Sequence, residues 1–265
     1  MDLVITGLDD RRSLCDDCRR GSGDGSPDGN DGVPRQTRTP VGEMGTSCYQ
    51  GSLQKVQWEY LPQELGFGSG STCWRRLAEW QRAGVWEKLQ QVLLARLREA
   101  DRLDFSRATI DASHGPAKRG RSSPKVGPSP VDRGRPGSKH HVLTDAHGTP
   151  LRVSHTGGHR NDVTELLPLV DALVPVWGKR ARPRRKPRVL YADRGYDHDL
   201  YRRRLRERGI AAKIARRGQP HGSGLGRVRW VAESAIAWLH GPRRLRTRWE
   251  TRDDMHDAFV SSHTA

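Results

Sequence analysis

Val189-Leu-Tyr-Ala-Asp-Arg-Gly-Tyr-Asp197 is the stretch that decides the fold. Its first four residues are apolar and include strand formers, as in a short strand buried on both faces. An acid follows at once, and Arg194-Gly195 then breaks the run and turns the chain. A carboxylate held at the end of a buried strand is costly unless cations meet it. Asp193 is therefore the first candidate for chemistry.

The same logic extends outward. Upstream lies the basic loop Gly178-Lys-Arg-Ala-Arg-Pro-Arg-Arg-Lys-Pro-Arg188. Before it, Leu166, Leu167, Leu169, Val170, Leu173 and Val174 recur at helical spacing, with Asn161 or Asp162 placed to cap them. His140–Thr144 and Thr149–Ser154 flank Asp145-Ala-His-Gly148 and predict a hairpin, and Ala108–Ala112 predicts a short strand ending near Asp111. Downstream, Leu200, Leu205 and Ile210 mark a helix, Ala211–Ala215 a strand, and Val228–Leu239 the last strong helix. Strand, hairpin, helix, strand, helix, strand, helix predicts a mixed α/β domain over 105–265.

Residues 53–104 read differently. Trp74, Leu77, Trp80, Val85, Trp86, Leu89, Val92, Leu93 and Leu97 recur at helical spacing on either side of Gly84. They predict two helices joined by a short turn, serving either as packing support or as a DNA-reading unit. Trp58, Trp74, Trp80 and Trp86 fit a core better than a base-stacking platform. Residues 1–52 are the third region. Gly21-Ser-Gly-Asp-Gly-Ser-Pro-Asp-Gly-Asn-Asp-Gly32 contains no apolar residue that could repay the entropy of ordering, so disorder is expected there.

The chain has 265 residues, with 47 Lys and Arg against 31 Asp and Glu, a formal charge of +16. Residues 1–50 hold six Arg and nine acids, so the rest of the chain carries the whole positive excess. Such a surface attracts a polyanion, because each phosphate it neutralises releases condensed counterions. No apolar run approaches a membrane span and no signal-peptide core opens the chain, so the cytoplasm is the expected compartment and a membrane is not an expected partner. Cys15 and Cys18 form a C-x-x-C pair, but Cys48 and Cys73 supply no second pair for zinc.

Position selects three acids among many. Asp111 lies near the end of a strand, Asp193 ends another, and Glu233 sits in the largely apolar helix Trp230-Val-Ala-Glu-Ser-Ala-Ile-Ala-Trp238. Each alone reads as a cap or an ion pair. Together they suit magnesium, which takes a few carboxylates and keeps water and substrate oxygens. Two such ions can activate a nucleophile and stabilise a leaving oxygen of a phosphodiester.

Longer motifs give these acids a context. Thr109-Ile-Asp-Ala-Ser-His114, Gly127-Pro-Ser-Pro-Val-Asp-Arg-Gly-Arg-Pro-Gly-Ser-Lys-His-His141, Thr156-Gly-Gly-His-Arg-Asn-Asp162 and Tyr191-Ala-Asp-Arg-Gly-Tyr-Asp197 occur in that order. Ile214–Gly218, His221–Gly224 and Arg229-Trp-Val-Ala-Glu-Ser-Ala-Ile-Ala-Trp-Leu-His240 follow. With Trp58–Gly66 and Cys73–Leu77 upstream, the sequence resembles the DDE-type transposases of bacterial insertion sequences, in the insertion-sequence-five group of the insertion-sequence-four-like superfamily. The likeness covers about four-fifths of the chain.

The resemblance implies an RNase H-like mixed sheet flanked by helices, preceded by a helical N-terminal region. It implies Asp111, Asp193 and Glu233 as catalytic residues holding two Mg2+ or Mn2+ ions. It also implies double-stranded DNA as partner, both terminal inverted repeats and target, and a homodimer when assembled on DNA in the nucleoid. His114, Arg133, Arg135, Lys139, Arg194, Arg229, His240, Arg243 and Arg244 are the expected DNA contacts, with Arg133, Arg135 and Lys139 placed in a loop. Related members carry Tyr-x-x-Arg-x-x-x-Glu-x-x-x-x-x-x-Lys around the last acid. Here Gly226 and His240 stand at the tyrosine and lysine positions. Arg229 is spaced either to contact a phosphate or to pair with Glu233.

Residues 1–52 do not resemble the helical domain expected before Trp58, and family members usually continue their last helix beyond the point reached at Ala265. A non-catalytic DNA-binding relic is therefore the alternative to an active transposase, and an RNase H-like structure-specific nuclease is a second enzymatic one.

Overall fold

The computed structural model describes residues 60, 68–120, 122–178, 182–219 and 226–265. The expectation of disorder over 1–52 lies outside the described residues, as does the core reading of Trp58.

Helices α1 (Gly70–Arg82) and α2 (Val85–Glu99) form the expected hairpin. The Ser69 side chain caps α1 by accepting from the Thr72 amide, and Gly84 turns the chain at φ +67°, a conformation that costs glycine little. The hairpin packs against the C-terminal helix. Leu77, Ala78 and Trp86 are buried with Met255, Ala258 and Phe259 near the C-terminus, and Trp80 meets Trp86 edge-on at 5.6 Å.

The sheet is built from β1 (Arg107–Pro116), β2 (Gly127–Pro128), β3 (Pro136–Thr144), β4 (Pro150–Gly157), β5 (Val189–Ala192) and β6 (Ala211–Ile214). Its order is β2-β3-β1-β5-β6, with β4 also on β3. The β1–β3 and β3–β4 pairs are antiparallel, whereas β1–β5 and β5–β6 are parallel. This is the mixed α/β architecture expected from the sequence.

Local chemistry explains the turns. Buried Asp145 accepts the amides of His147 and Thr149 on one oxygen and that of Asp104 on the other, closing the hairpin between β3 and β4. Asn161 caps a 3-10 turn over Asp162–Glu165, which runs into α3 (Leu166–Asp171). That helix stops short of Leu173 and Val174, which the apolar spacing had assigned to it. Val174 precedes Pro175, and a residue before proline is driven out of the helical region. Helix α4 (Asp199–Glu207) ends before Gly209 at φ +70°, so Ile210 leads into β6 rather than extending the helix.

The two sheet faces have different covers. Ala108, Ile110, Leu143, Leu190 and Ala192 pack against Leu166, Leu169, Val170 and Leu205 from α3 and α4. Alternation along β1 and β3 turns Asp111, Ser113, Val142 and His140 to the other face. There lie α5 (Gly226–Leu239), α6 (Arg243–Arg246) and α7 (Asp253–Thr264), with Leu239, Leu245 and Phe259 closing a core over Val142. Helix α7 is the last helix that the family resemblance implies, although no apolar spacing was assigned to it. Its buried Met255, Ala258 and Phe259 are spaced three and four apart, so the signal was present but short.

Candidate active site

Asp111 and Asp193 are brought together by strand pairing. β1 and β5 run parallel, with Thr109 opposite Tyr191, so the acids stand two residues beyond a matched pair on neighbouring strands. Neighbouring strands lie about 4.8 Å apart, and the period of two puts both side chains on the same face. Asp111 accepts the Ala112 amide at 2.9 Å. Asp193, in extended backbone, accepts the Gly195 amide at 2.9 Å and caps the 3-10 turn Arg194–Tyr196. Gly195 fits because a Cβ there would stand 3.0 Å from the Asp193 carboxylate.

Helix α5 crosses this face and carries the other two groups. The Arg229 guanidinium donates to Asp111 Oδ2 at 3.3 Å, so its carboxylate partner is Asp111 and not Glu233. Glu233, one turn further on, is exposed although its helix is largely apolar. Burial pushes the Asp111 carboxyl above the usual carboxylate range. The Ala112 amide and Arg229 pull it back, and the charges of Asp193 and Glu233 push it up again. Three negative charges thus act on one another beside a single guanidinium.

Tyr196 borders the acids. Burial raises its phenol, and Asp162, Asp111 and Asp193 raise it further. Among the described residues, the Tyr196 hydroxyl and the Arg229 Nε are buried polar atoms without a hydrogen-bond partner. No group of three or more His, Cys, Asp or Glu side chains converges closely enough, among the described residues, to enclose an ion. The donor set is nevertheless all oxygen, mutually repelling and open, which fits hard divalent cations that keep water and substrate oxygens as ligands.

Residues 106–265, which contain all of these groups, match the family model for the transposase DDE domain. The chain belongs to the DDE transposase family. A second family model, for transposases of the IS4/5 family, matches residues 51–90. The DDE transposase chain is 60% identical over 137 residues to the transposase assigned to insertion sequence element IS402 of Burkholderia cepacia, covering 52% of this chain and 65% of that protein. It is 60% identical over 58 residues to an uncharacterized 16.2 kDa protein of the same element, covering 22% of this chain and 40% of that one. The chain thus spans less than two thirds of the curated relatives that it matches. Among solved structures, a simian T-cell lymphotropic virus intasome bound to PP2A regulatory subunit B56 gamma is similar at TM-score 0.39 and 11% identity, over 60% of this chain and 48% of that one. A pre-cleavage Mos1 transpososome is similar at TM-score 0.27 and 15% identity, over 100% and 90%.

The expected DNA contacts of this transposase divide into two sets. Arg133, Arg135 and Arg243 are exposed. Arg133 holds φ +49° beside Gly134 at φ +73°, at the tip of a tight loop, and Arg135 lies 3.8 Å from Asp132. Arg194 is partly buried and donates to the Gln219 carbonyl at 2.7 Å. The others are turned inward. Lys139 lies in β3 rather than in a loop, and its buried ammonium holds Asp162 at 2.8 Å and the Arg160 carbonyl at 2.6 Å. Arg244 is paired with Glu250 at 2.9 Å and lies over Phe259. His114 shares a 3.2 Å hydrogen bond with Ser129, and burial followed by the Lys139 charge lowers its imidazole.

His240 leads to a feature the sequence did not reveal. Ser113, His140 and His155 are register partners across β1, β3 and β4, a polar row beside Asp111 on the same face. His240 from the end of α5 and His256 from α7 cover this row. The four imidazoles come from separate parts of the chain, so no spacing rule could have joined them.

Proposed function

We propose that this chain cuts transposon ends and joins them to target DNA by two-metal phosphoryl transfer, with Asp111, Asp193 and Glu233 as the metal ligands. The observation that carries this reading is the placement of Asp111 beside Asp193 on parallel strands, with the charges of Asp193 and Glu233 both acting on Asp111. The bound ions would supply a polarised nucleophile and stabilisation of the leaving oxygen. The chain's own residues supply position and charge. Arg229 balances Asp111 until cations arrive, and its unpartnered Nε is then available to a phosphate oxygen. Arg133, Arg135, Arg194 and Arg243 serve the DNA backbone, which positions the substrate without reading its sequence. Assembly as a homodimer on DNA belongs to the same reading.

The test is incubation of the chain with duplexes carrying the terminal inverted repeats that flank its coding sequence. Strand cleavage that requires Mg2+ or Mn2+ and is lost in Asp111→Asn supports the assignment. Cleavage that survives Asp111→Asn, Asp193→Asn and Glu233→Gln refutes it.

A second reading is DNA binding without completed transposition. The acidic, apolar-poor segment 1–52 motivates it, since an end-recognition domain needs a foldable, DNA-attracting surface. Restoring that region from an intact relative would then raise transposition frequency in cells, and equal frequencies would dismiss the idea.

A further inference from the structure

Beside the acids, on the same face of the sheet, runs a chain of buried and part-buried hydrogen bonds. Ser113 Oγ meets His240 Nδ1 at 3.5 Å, and His240 Nε2 meets His140 Nδ1 at 3.1 Å. His140 Nε2 meets His256 Nε2 at 3.0 Å, and His256 Nδ1 meets Glu250 Oε2 at 3.5 Å. His140 and His256 are fully buried, and their rings stack with centroids 5.3 Å apart. His240, the outermost imidazole, is only partly buried.

Hydrogen-bond chemistry orients the whole chain from one end. Burial raises the Glu250 carboxyl, but His256 and Arg244 outweigh this and hold it below the usual range, so Glu250 is an anion and only accepts. His256 must then donate from Nδ1, which leaves its Nε2 as an acceptor. A neutral imidazole has one donor and one acceptor, so His140 donates from Nε2 and accepts at Nδ1. His240 likewise donates from Nε2 and accepts the Ser113 hydroxyl at Nδ1. One tautomer per ring satisfies every link. His155, outside the chain, donates from Nδ1 to Asp257 at 2.9 Å.

Such a chain has a second state. A proton added to His240 Nδ1 releases its Nε2 proton to His140 Nδ1, and His140 passes its own Nε2 proton to His256 Nε2. The positive charge then rests on His256 against the Glu250 anion; the first three links survive with reversed direction and the His256–Glu250 link keeps its own. The mouth faces the acids, since Ser113 and Asp111 are two residues apart on one strand and share a face, about 6.7 Å along it.

We propose that Ser113, His240, His140, His256 and Glu250 form a proton relay that carries the proton shed by the attacking hydroxyl from the catalytic face to the buried His256–Glu250 pair. It rests on the phosphoryl-transfer reading above. As the attacking oxygen bonds to phosphorus, its O–H breaks and the proton passes to Ser113 Oγ, while the Ser113 hydroxyl proton moves to His240 Nδ1. The bond from phosphorus to the leaving oxygen breaks, and that oxygen takes a proton from solvent. Reversal of the relay returns the stored proton to solvent afterwards. The other charged or titratable groups around the chain are His141, His155 with Asp257 and Lys125 on the strand side, and Arg244 and Arg246 from α6.

The experiment uses the full chain with 15N-labelled histidine. At pH 7.5 His240 and His140 should carry their proton on Nε2 and His256 on Nδ1. As the pH is lowered, the His140 and His240 protons should move to Nδ1 in step. In His140→Gln, which keeps a polar partner but cannot pass a proton, His256 and His240 should respond separately. Mn2+-dependent nicking of supercoiled plasmid should fall on the order of 10²-fold in that variant, recovering as pH rises. Added imidazole should restore nicking by His240→Ala, which keeps the buried rings in place if His140→Gln does not fold. Independent titration in the parent, or rates and pH profiles unchanged in both variants, overturns the relay. Should the parent nick nothing, the transposase reading falls while the tautomer coupling still decides the relay.

Discussion

Acid should unfold this protein in a way traceable to His155. Its ring is buried in the sheet row, its Nδ1 donates to Asp257, and Lys125 holds the second oxygen of that carboxylate at 2.9 Å. Burial lowers His155 to about 4 despite the Asp257 hydrogen bond. Burial would raise Asp257, but the His155 hydrogen bond and Lys125 hold it at about 2, so this carboxylate stays charged through the range of interest. The sign follows from a lowered imidazole. The unfolded chain takes up a proton near pH 6.5 while the folded chain refuses it until about 4, so stability falls as the pH falls between those values. The full interval corresponds to roughly 3 kcal/mol, of which about 2 kcal/mol is lost by pH 5. Urea unfolding followed by tryptophan fluorescence at pH 7, 6 and 5 would measure it. His155→Gln should be the less stable protein at pH 7, and the gap to the parent should shrink by about 2 kcal/mol at pH 5. Parallel pH curves for parent and variant would refute the argument.

Further outcomes follow from the acidic face. Asp111→Asn and Asp193→Asn should abolish metal-dependent cleavage while duplex affinity, measured by fluorescence anisotropy, stays equal or rises, because each removes a negative charge facing phosphates. Arg229→Gln should strengthen Mn2+ binding by on the order of ten-fold in calorimetry, since the guanidinium 3.3 Å from Asp111 competes with a cation at about 1 kcal/mol even at the dielectric of bulk water; weaker Mn2+ binding would show that Arg229 organises the site instead. Duplex affinity should fall steeply with salt, with a log–log slope near one per neutralised phosphate, and Arg133→Ala with Arg135→Ala should lower that slope by about two while Lys139→Ala costs folding stability instead.

The sequence carries a local signal for each candidate acid. Asp111 and Asp193 each follow short apolar runs, and Glu233 sits in a helix whose apolar residues demand a partner surface. What the runs could not convey was exposure. Helix α5 packs through Arg229, Val231, Ala232 and Ala235 and leaves Glu233 and Trp230 outward, which an apolar run alone does not reveal. Helix ends were misjudged where proline or glycine overruled periodicity, at Val174 and at Gly209. Lys139 lies in a strand although the stretch before it is Gly- and Pro-rich, because β3 begins within that stretch at Pro136.

The sequence by itself determined the family and the mixed α/β order, and it singled out three acids as candidates, because apolar periodicity, turn residues and long ordered motifs are local signals. Only the tertiary structure decided which charges meet. It set Arg229 on Asp111 rather than Glu233, sent Lys139 inward to Asp162, and gathered His140, His155, His240 and His256 from β3, β4, the end of α5 and α7. These outcomes depend on strand register and on how helices cross a sheet. Both are fixed by packing between segments distant along the chain, where spacing in the sequence carries no information.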